Sequence, residues 1–293
     1  MLARYSEPVF RPPSEASSVI AQLTIGCSFN QCSFCSMYKT KKYSVRNEEQ
    51  FTEHLKWLRK NYEGNETRAF LGDGDVFTLP AERLLSAMGE FKRFFPKLKR
   101  FGMYGSVYNF HGKTISDLTG LKGAGLRTIY LGLESGDAET LAAVKKPLPS
   151  DILSHIAELC TKADIRLSVM ILSGIGGQAR TEDHASKSAR ALNILKPHYT
   201  SILSLATEHS ILHKNTEYTG FTVRQYVREI YTLVSEISYP TIFRSNHSSN
   251  ILSLSGTLPR GCQVLIDEIN AFATRFAQGL DIPVNQLTQG ILL

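Results

Sequence analysis

The feature that most constrains this chain is an alternation. Six short apolar runs recur: Val19-Ile-Ala-Gln-Leu-Thr-Ile25, Arg68-Ala-Phe-Leu71, Arg100-Phe-Gly-Met-Tyr104, Arg127-Thr-Ile-Tyr-Leu-Gly-Leu133, Arg166-Leu-Ser-Val-Met-Ile-Leu172 and Tyr199-Thr-Ser-Ile-Leu-Ser-Leu205. Runs this short and apolar read as buried strands, and the longer stretches between them carry apolar residues at helical spacing. Residues 47–61 place Phe51, Leu55, Trp57 and Leu58 on such a pattern behind Asn47, a capping residue type. A second helix is expected over 80–95 with Pro80 at its start, and others over 114–123, 137–145, 150–163 and 182–195. A helix after each strand returns the chain to the same edge, so the strands run parallel. Eight such units close a barrel of about 250 residues. Six over residues 18–205 give an α/β fold, a partial (β/α)6 TIM-like barrel. Residues 1–17 form an extended N-terminal segment. Residues 206–293 hold a polar stretch (206–221), a helix (222–237), a β-like segment (239–244), a Ser/Asn-rich loop and a last helix (259–278). They read as an α-rich cap on the barrel.

Composition narrows the function classes. A hydrophobic share of 42% against 20% charged residues supplies a core and excludes a disordered or fibrous chain. The net charge of +6 is spread along the sequence, so nucleic acid is not the expected partner. No apolar run approaches the ~18 residues of a membrane span. The N-terminus lacks the apolar stretch of a secretory signal, so the expected location is cytoplasmic. At 293 residues, one barrel and one cap leave no room for auxiliary modules.

The cysteines are the chemical signal. Of five, Cys27, Cys32 and Cys35 fall within nine residues directly after the first strand, while Cys160 and Cys262 stand alone. An odd, small count argues against a disulfide framework. Cys160 lies on an apolar helical pattern with Ile152 and Ile156 and is expected in the core, and Cys262 has no partner spacing. Thiolates are soft ligands that suit zinc or an iron–sulfur cluster. Structural zinc normally takes four protein ligands, often as two pairs, and no second pair exists here. Three thiolates with no evident fourth ligand suit a [4Fe–4S] cluster with one iron open to an external ligand.

This arrangement resembles the radical S-adenosylmethionine (SAM) superfamily, whose signature is a three-cysteine loop after the first strand of a partial (β/α)6 barrel. Phe34 fills the aromatic position before the third cysteine. The usual spacing is three residues then two; here it is four then two. The resemblance covers residues 18–205 and implies that Cys27, Cys32 and Cys35 hold the cluster. It implies that backbone atoms of Met37 and Tyr38 meet the adenine of SAM. The turn Gly72-Asp73-Gly74-Asp75 takes the place of the family's glycine-rich turn for the SAM amino group, with Asp where Glu is more frequent. Glu134 and Ser135, at the end of the fourth strand, are expected to face SAM. Gly174 belongs to the glycine cluster along the adenine, and Arg180 is expected to pair with the SAM carboxylate.

Other polar residues stand near strand ends. Lys39, Lys41 and Lys42 form a small basic patch whose default reading is a solvated face. His247, in the loop Arg244–Asn250, is a candidate proton donor or substrate ligand. Tyr104, Asn109, His111 and His184 are weaker candidates for the barrel mouth.

The resemblance further implies an oxygen-sensitive enzyme that reductively cleaves SAM at the cluster. The resulting 5′-deoxyadenosyl radical takes hydrogen from a substrate, and reduced flavodoxin or ferredoxin supplies the electron. A small-molecule or peptide substrate is expected, since there is no second cysteine group, cobalamin domain or RNA-binding module. The alternatives are a tRNA-modifying member of the same superfamily and a non-enzymatic zinc or iron–sulfur protein.

Overall fold

The computed structural model describes residues 4–205 and 220–284. Most of the polar stretch expected over 206–221 therefore lies outside the described residues. The elements, in chain order, are β1 (Val19–Gln22), β2 (Thr24–Ile25), β3 (Ser44–Val45), α1 (Glu48–Asn61), β4 (Arg68–Gly72), α2 (Ala81–Phe94), β5 (Arg100–Gly105), α3 (Ile115–Ala124) and β6 (Leu126–Glu134). There follow α4 (Ala138–Ala143), α5 (Ile152–Lys162), β7 (Arg166–Ser173), α6 (Thr181–Leu195), β8 (Tyr199–Ser204), α7 (Val223–Glu236), β9 (Thr241–Arg244), β10 (Ser255–Leu258) and α8 (Cys262–Arg275). Eight of these strands belong to one mostly parallel sheet, and β2 pairs with β3. The chain divides into two compact units, each discontinuous in sequence: 1–30, 37–132 and 155–167; and 31–36, 133–154 and 168–293.

In the first unit, β1, β4, β5 and β6 pair in parallel. α1 begins where the sequence places it, because Asn47 and Gln50 close a reciprocal capping box. Glu48 and Glu49 in its first turn and Arg59 and Lys60 in its last oppose the helix dipole. The core is rich in phenylalanine: Phe91 meets Phe95 and Phe101 edge-on at 5.4 and 5.8 Å between ring centroids. Burying each such ring stabilises the fold by about 1.5–3 kcal/mol. The first apolar run is not one strand. The Leu23 N–H still donates to the Gly72 carbonyl at 2.8 Å, but its own carbonyl accepts from Arg46 N–H at 3.0 Å. The ladder changes partner there, and Thr24–Ile25 pairs antiparallel with Ser44–Val45.

In the second unit, β7, β8 and β9 pair in parallel, and β10 joins β9 antiparallel. The expected β-like segment is thus a sheet strand. β10 was invisible to an apolar reading because Ser-Gly-Thr-Leu buries only Leu258 deeply. α7 starts with a Thr222–Gln225 capping box and buries Tyr226, Ile230, Leu233 and Val234.

Candidate active site

Each unit carries part of the expected site. In the first, the turn after β4 is stitched to the residues that lead into Cys27. Gly74 N–H donates to the Gly26 carbonyl at 3.2 Å, and Gly26 N–H donates to Asp73 Oδ2 at 3.1 Å. Ser28 Oγ donates to the buried Asp75 carboxylate. Asp73 N–H donates to Thr24 Oγ1 at 3.0 Å. The Asp73 side chain is fully buried: it accepts from Lys41 Nζ at 2.7 Å and Gln22 Nε2 at 3.2 Å. Lys41 Nζ also donates to the Ser6 and Pro8 carbonyls, both at 2.6 Å, so three donors meet three acceptors. Burial pushes the Asp73 carboxyl upward, while Lys41 and the Gly26 N–H pull against it. Asp73 therefore serves an internal ion pair and is not available to a ligand's ammonium group. Lys41 is not part of a solvated patch, since its side chain is 3% exposed; Lys39 and Lys42 are exposed.

Gly74 has no alternative at its position. A Cβ there would stand 2.3 Å from Cε2 of the buried Tyr38 ring. Met37, beside it, is exposed. Tyr43 was not flagged by the sequence. Burial, then the nearby charges of Asp75 and Cys27, push its phenol up to about 12.

In the second unit, Cys32 and Cys35 sit in one turn, with Cys35 N–H donating to the Cys32 carbonyl at 3.4 Å. Two contacts fix this segment. Ser33 N–H donates to the Val144 carbonyl at 3.0 Å, and Phe34 packs on Leu141, Val144 and Ile175. Lys146 Nζ lies 5.8 Å from the Phe34 ring centroid and 3.0 Å from Glu134 Oε1. Glu134 takes φ +68°, a left-handed backbone uncommon for its type. Lys146 thus braces both the residue before Cys35 and the carboxylate at the end of β6, a role no spacing in the sequence announces.

Arg180 departs from its expected role. It contacts Asp137, Glu139 and Asp183 at 2.7, 2.7 and 2.9 Å, so three protein carboxylates occupy its guanidinium. Asp137 also takes Lys187 at 2.9 Å and caps α4 through Thr140. Burial opposes its ionisation, but Arg180, Thr140 and Lys187 outweigh it and hold the carboxyl well below the usual range. Ser135 is buried against His184, Nδ1 to Oγ 2.8 Å. Gly174, at φ +86°, has the Phe221 ring where a Cβ would stand, 2.8 Å away.

The weaker candidates have structural partners. Asn109 accepts the Ser106 N–H at 2.7 Å as a helix-start cap. Tyr104 meets Phe70 and Tyr130 edge-on. His111 is exposed. His247 binds within its own loop, Nδ1 to Ser249 Oγ 2.8 Å, and Asn250 and Ser249 fasten that loop to Ser204. Cys160 is buried, which pushes its thiol up to about 12, and Cys262 is half-buried against the Val234 carbonyl.

No helix among the described residues is long and apolar enough to cross a membrane. Against curated proteins the chain finds no match. Among solved structures it is similar to a radical S-adenosylmethionine methyltransferase, TsrM from Kitasatospora setae, with cobalamin and a [4Fe–4S] cluster bound. That likeness has 17% identity and a TM-score of 0.50 over 64% of this chain and 36% of that one. It is also similar to methylornithine synthase, PylB, with 13% identity and a TM-score of 0.51 over 86% of this chain and 68% of that one. This chain thus spans little more than a third of the TsrM chain. At such identities the likeness is one of fold, the open α/β arrangement expected from the strand alternation. The model of the Radical SAM superfamily matches residues 22–186, more than half of the 293, and the match holds Cys27, Cys32 and Cys35, the turn after β4 and the ends of β6 and β7. By that match, and with a sheet of the right order beneath it, this chain belongs to the radical SAM superfamily.

Proposed function

We propose that this protein is a radical SAM enzyme that cleaves SAM to methionine and 5′-deoxyadenosine, drawing hydrogen from a small-molecule or peptide substrate. The observation that carries this reading is the three-cysteine segment inside the family match, with its Cys32–Cys35 turn fastened to the stretch that carries Glu134. Among the described residues, no three His, Cys, Asp or Glu side chains are gathered for a metal ion as they stand. The fit rests on donor chemistry: three thiols within nine residues, none in a disulfide, match a [4Fe–4S] cluster with one open iron. When bound, the reduced cluster supplies the electron that breaks the sulfonium C–S bond of SAM.

The chain's own residues hold and orient. Cys27, Cys32 and Cys35 are the cluster ligands. Phe34, seated on Leu141 and Val144, keeps the Cys32–Cys35 turn in place. The backbone of Gly72 and Gly74 lies against the SAM amino group, in a turn whose shape Asp73 and Lys41 fix from behind. Asp75 braces Ser28 and so the start of the cysteine loop. Backbone atoms of Met37 and Tyr38 meet the adenine. Glu134 faces SAM from the end of β6, where Ser135 shapes the turn behind it through His184 and the Asp137 N–H, and Gly174 lies along SAM from the end of β7. We infer a reducing, cytoplasmic setting with reduced flavodoxin or ferredoxin as electron donor, since a [4Fe–4S] cluster must be reduced before it can cleave SAM.

The test is anaerobic reconstitution. It is expected to give a brown protein with about four irons per chain. Dithionite and SAM then yield 5′-deoxyadenosine, and Cys32→Ala abolishes both iron retention and product. A colourless protein holding one tight zinc would overturn the reading.

A further inference from the structure

A run of buried polar groups crosses the second unit and ends on two of the turns assigned above to SAM. His184 on α6 and Glu229 on α7 are both fully buried. Glu229 Oε2 accepts from Ser173 Oγ at 2.6 Å and from Gly174 N–H at 3.0 Å. His184 Nδ1 stands 2.8 Å from Ser135 Oγ, which accepts the Asp137 N–H at 3.0 Å. The Ser135 oxygen can hold that N–H and still either donate to Nδ1 or accept from it, so the contact stands for both imidazole tautomers. Nε2 faces Glu229 Oε2 at 3.9 Å. Neither Nε2 nor Glu229 Oε1 has a hydrogen-bond partner.

Two polar atoms orphaned at full burial carry a desolvation cost that no hydrogen bond offsets. Apolar residues of the same volume would fill the space without that cost. What apolar residues cannot do is grip a backbone N–H and a hydroxyl at the end of a strand. Burial lowers the His184 imidazole to about 4 and raises the Glu229 carboxyl to about 8, so near neutral pH the pair is uncharged. The ionisable groups around it are Asp137, which bears on His184, and Tyr226, on the same helix as Glu229. Glu229 also lies beyond residues 22–186, the span that the family model matches, while Ser173 and Gly174 lie within it.

We propose that Glu229 is a positioning residue: through its hydrogen bonds to Ser173 and Gly174, and through its packing contact with His184, which holds Ser135, it sets the turns after β7 and β6 for SAM. This rests on the SAM reading above, but its structural half stands apart from it. The experiment compares wild type, Glu229→Gln, Glu229→Leu, His184→Phe and Ser173→Ala as full-length reconstituted protein. Amide hydrogen exchange is followed over 133–137 and 173–177 without SAM. Iron content and SAM binding by equilibrium dialysis are measured alongside.

Glu229→Leu is expected to speed exchange in both turns and weaken SAM binding by about tenfold, with iron content unchanged. Glu229→Gln keeps an amide oxygen for Ser173 and Gly174 and is expected to stay within about threefold of wild type. His184→Phe is expected to loosen 133–137 but not 173–177; where Glu229→Leu does not fold, Ser173→Ala, which removes one of the two hydrogen bonds to Glu229, is expected to loosen 173–177 but not 133–137. Unchanged exchange in both turns of the folded variants would overturn the proposal, as would Glu229→Gln behaving like Glu229→Leu. If wild type itself binds no SAM, the functional reading fails, and the exchange pattern still decides whether Glu229 sets the turns.

Discussion

Lys41–Asp73 in the first unit and His184–Glu229 in the second are both acid–base pairs withdrawn from water, and they are built differently. The first closes at 2.7 Å, and its ammonium group is satisfied by three oxygens. The second stands 3.9 Å apart with one atom of each side chain unpartnered. Ions this deep must close on their counter-ion, because the desolvation cost of each is several kcal/mol, and the first pair does so although Asp73 Oδ1 has no hydrogen-bond partner of its own. Where the two do not close, the groups stay neutral instead, which is the direction burial drives both His184 and Glu229. The first pair is a charged rivet; the second is an uncharged linkage that titrates.

The rivet is the easiest part to break. Lys41→Met leaves Asp73 ionised and alone beside Gly26 and Gln22, and is expected to cost about 3–5 kcal/mol in urea unfolding. Adding Asp73→Asn should recover part of that loss; no recovery would mean the lysine acts through its contacts to Ser6 and Pro8 alone. The titrating pair gives a smaller, pH-shaped effect. The Glu229 carboxyl is raised from 4.5 to about 8, so its contribution to stability is complete below pH 4.5 and lost as pH rises through about 8. Wild type should therefore lose about 3.5 kcal/mol relative to Glu229→Gln between pH 5 and 8, read from urea midpoints at each pH. Parallel curves would show that Glu229 is ionised and paired after all. Smaller again, Gly74→Ala forces the Tyr38 ring aside and is expected to cost about 1–2 kcal/mol, with Tyr38→Leu relieving it. At the far end, Lys162→Ala breaks an exposed pair with Glu158, 2.6 Å apart, and should leave the unfolding midpoint unmoved, because solvent screens it.

How far the sequence could be read depended on whether the signal was local. Asn47 and Gln50 announce a helix start because both partners lie within one turn. The six strands announce themselves because a buried parallel strand is apolar on both faces. β10 does not, since an edge strand of Ser-Gly-Thr-Leu needs only one buried side. Among site residues, Gly74 reads from the sequence as a turn glycine, but its constraint comes from Tyr38, 36 residues earlier. Asp73 and Arg180 have the chemistry for ligand groups, yet each meets a partner distant in sequence: Lys41 in one case, Asp137 in the other. Charged side chains in a stretch of sequence show what they can bind, not which partner reaches them first.

The sequence by itself determined the class of fold, the place of the three clustered thiols after the first strand, and the family those features share. Each depends on periodicity or on spacing within a few residues, which the chain carries without folding. Only the tertiary structure decided which charges were left for a ligand. It consumed Asp73, Lys41 and Arg180 internally, set Lys146 between Phe34 and Glu134, and brought Glu229 from the C-terminal extension onto the turn at Gly174. The reason is that a buried charge or polar atom is settled by the groups that surround it in space, and those come from segments far apart along the chain.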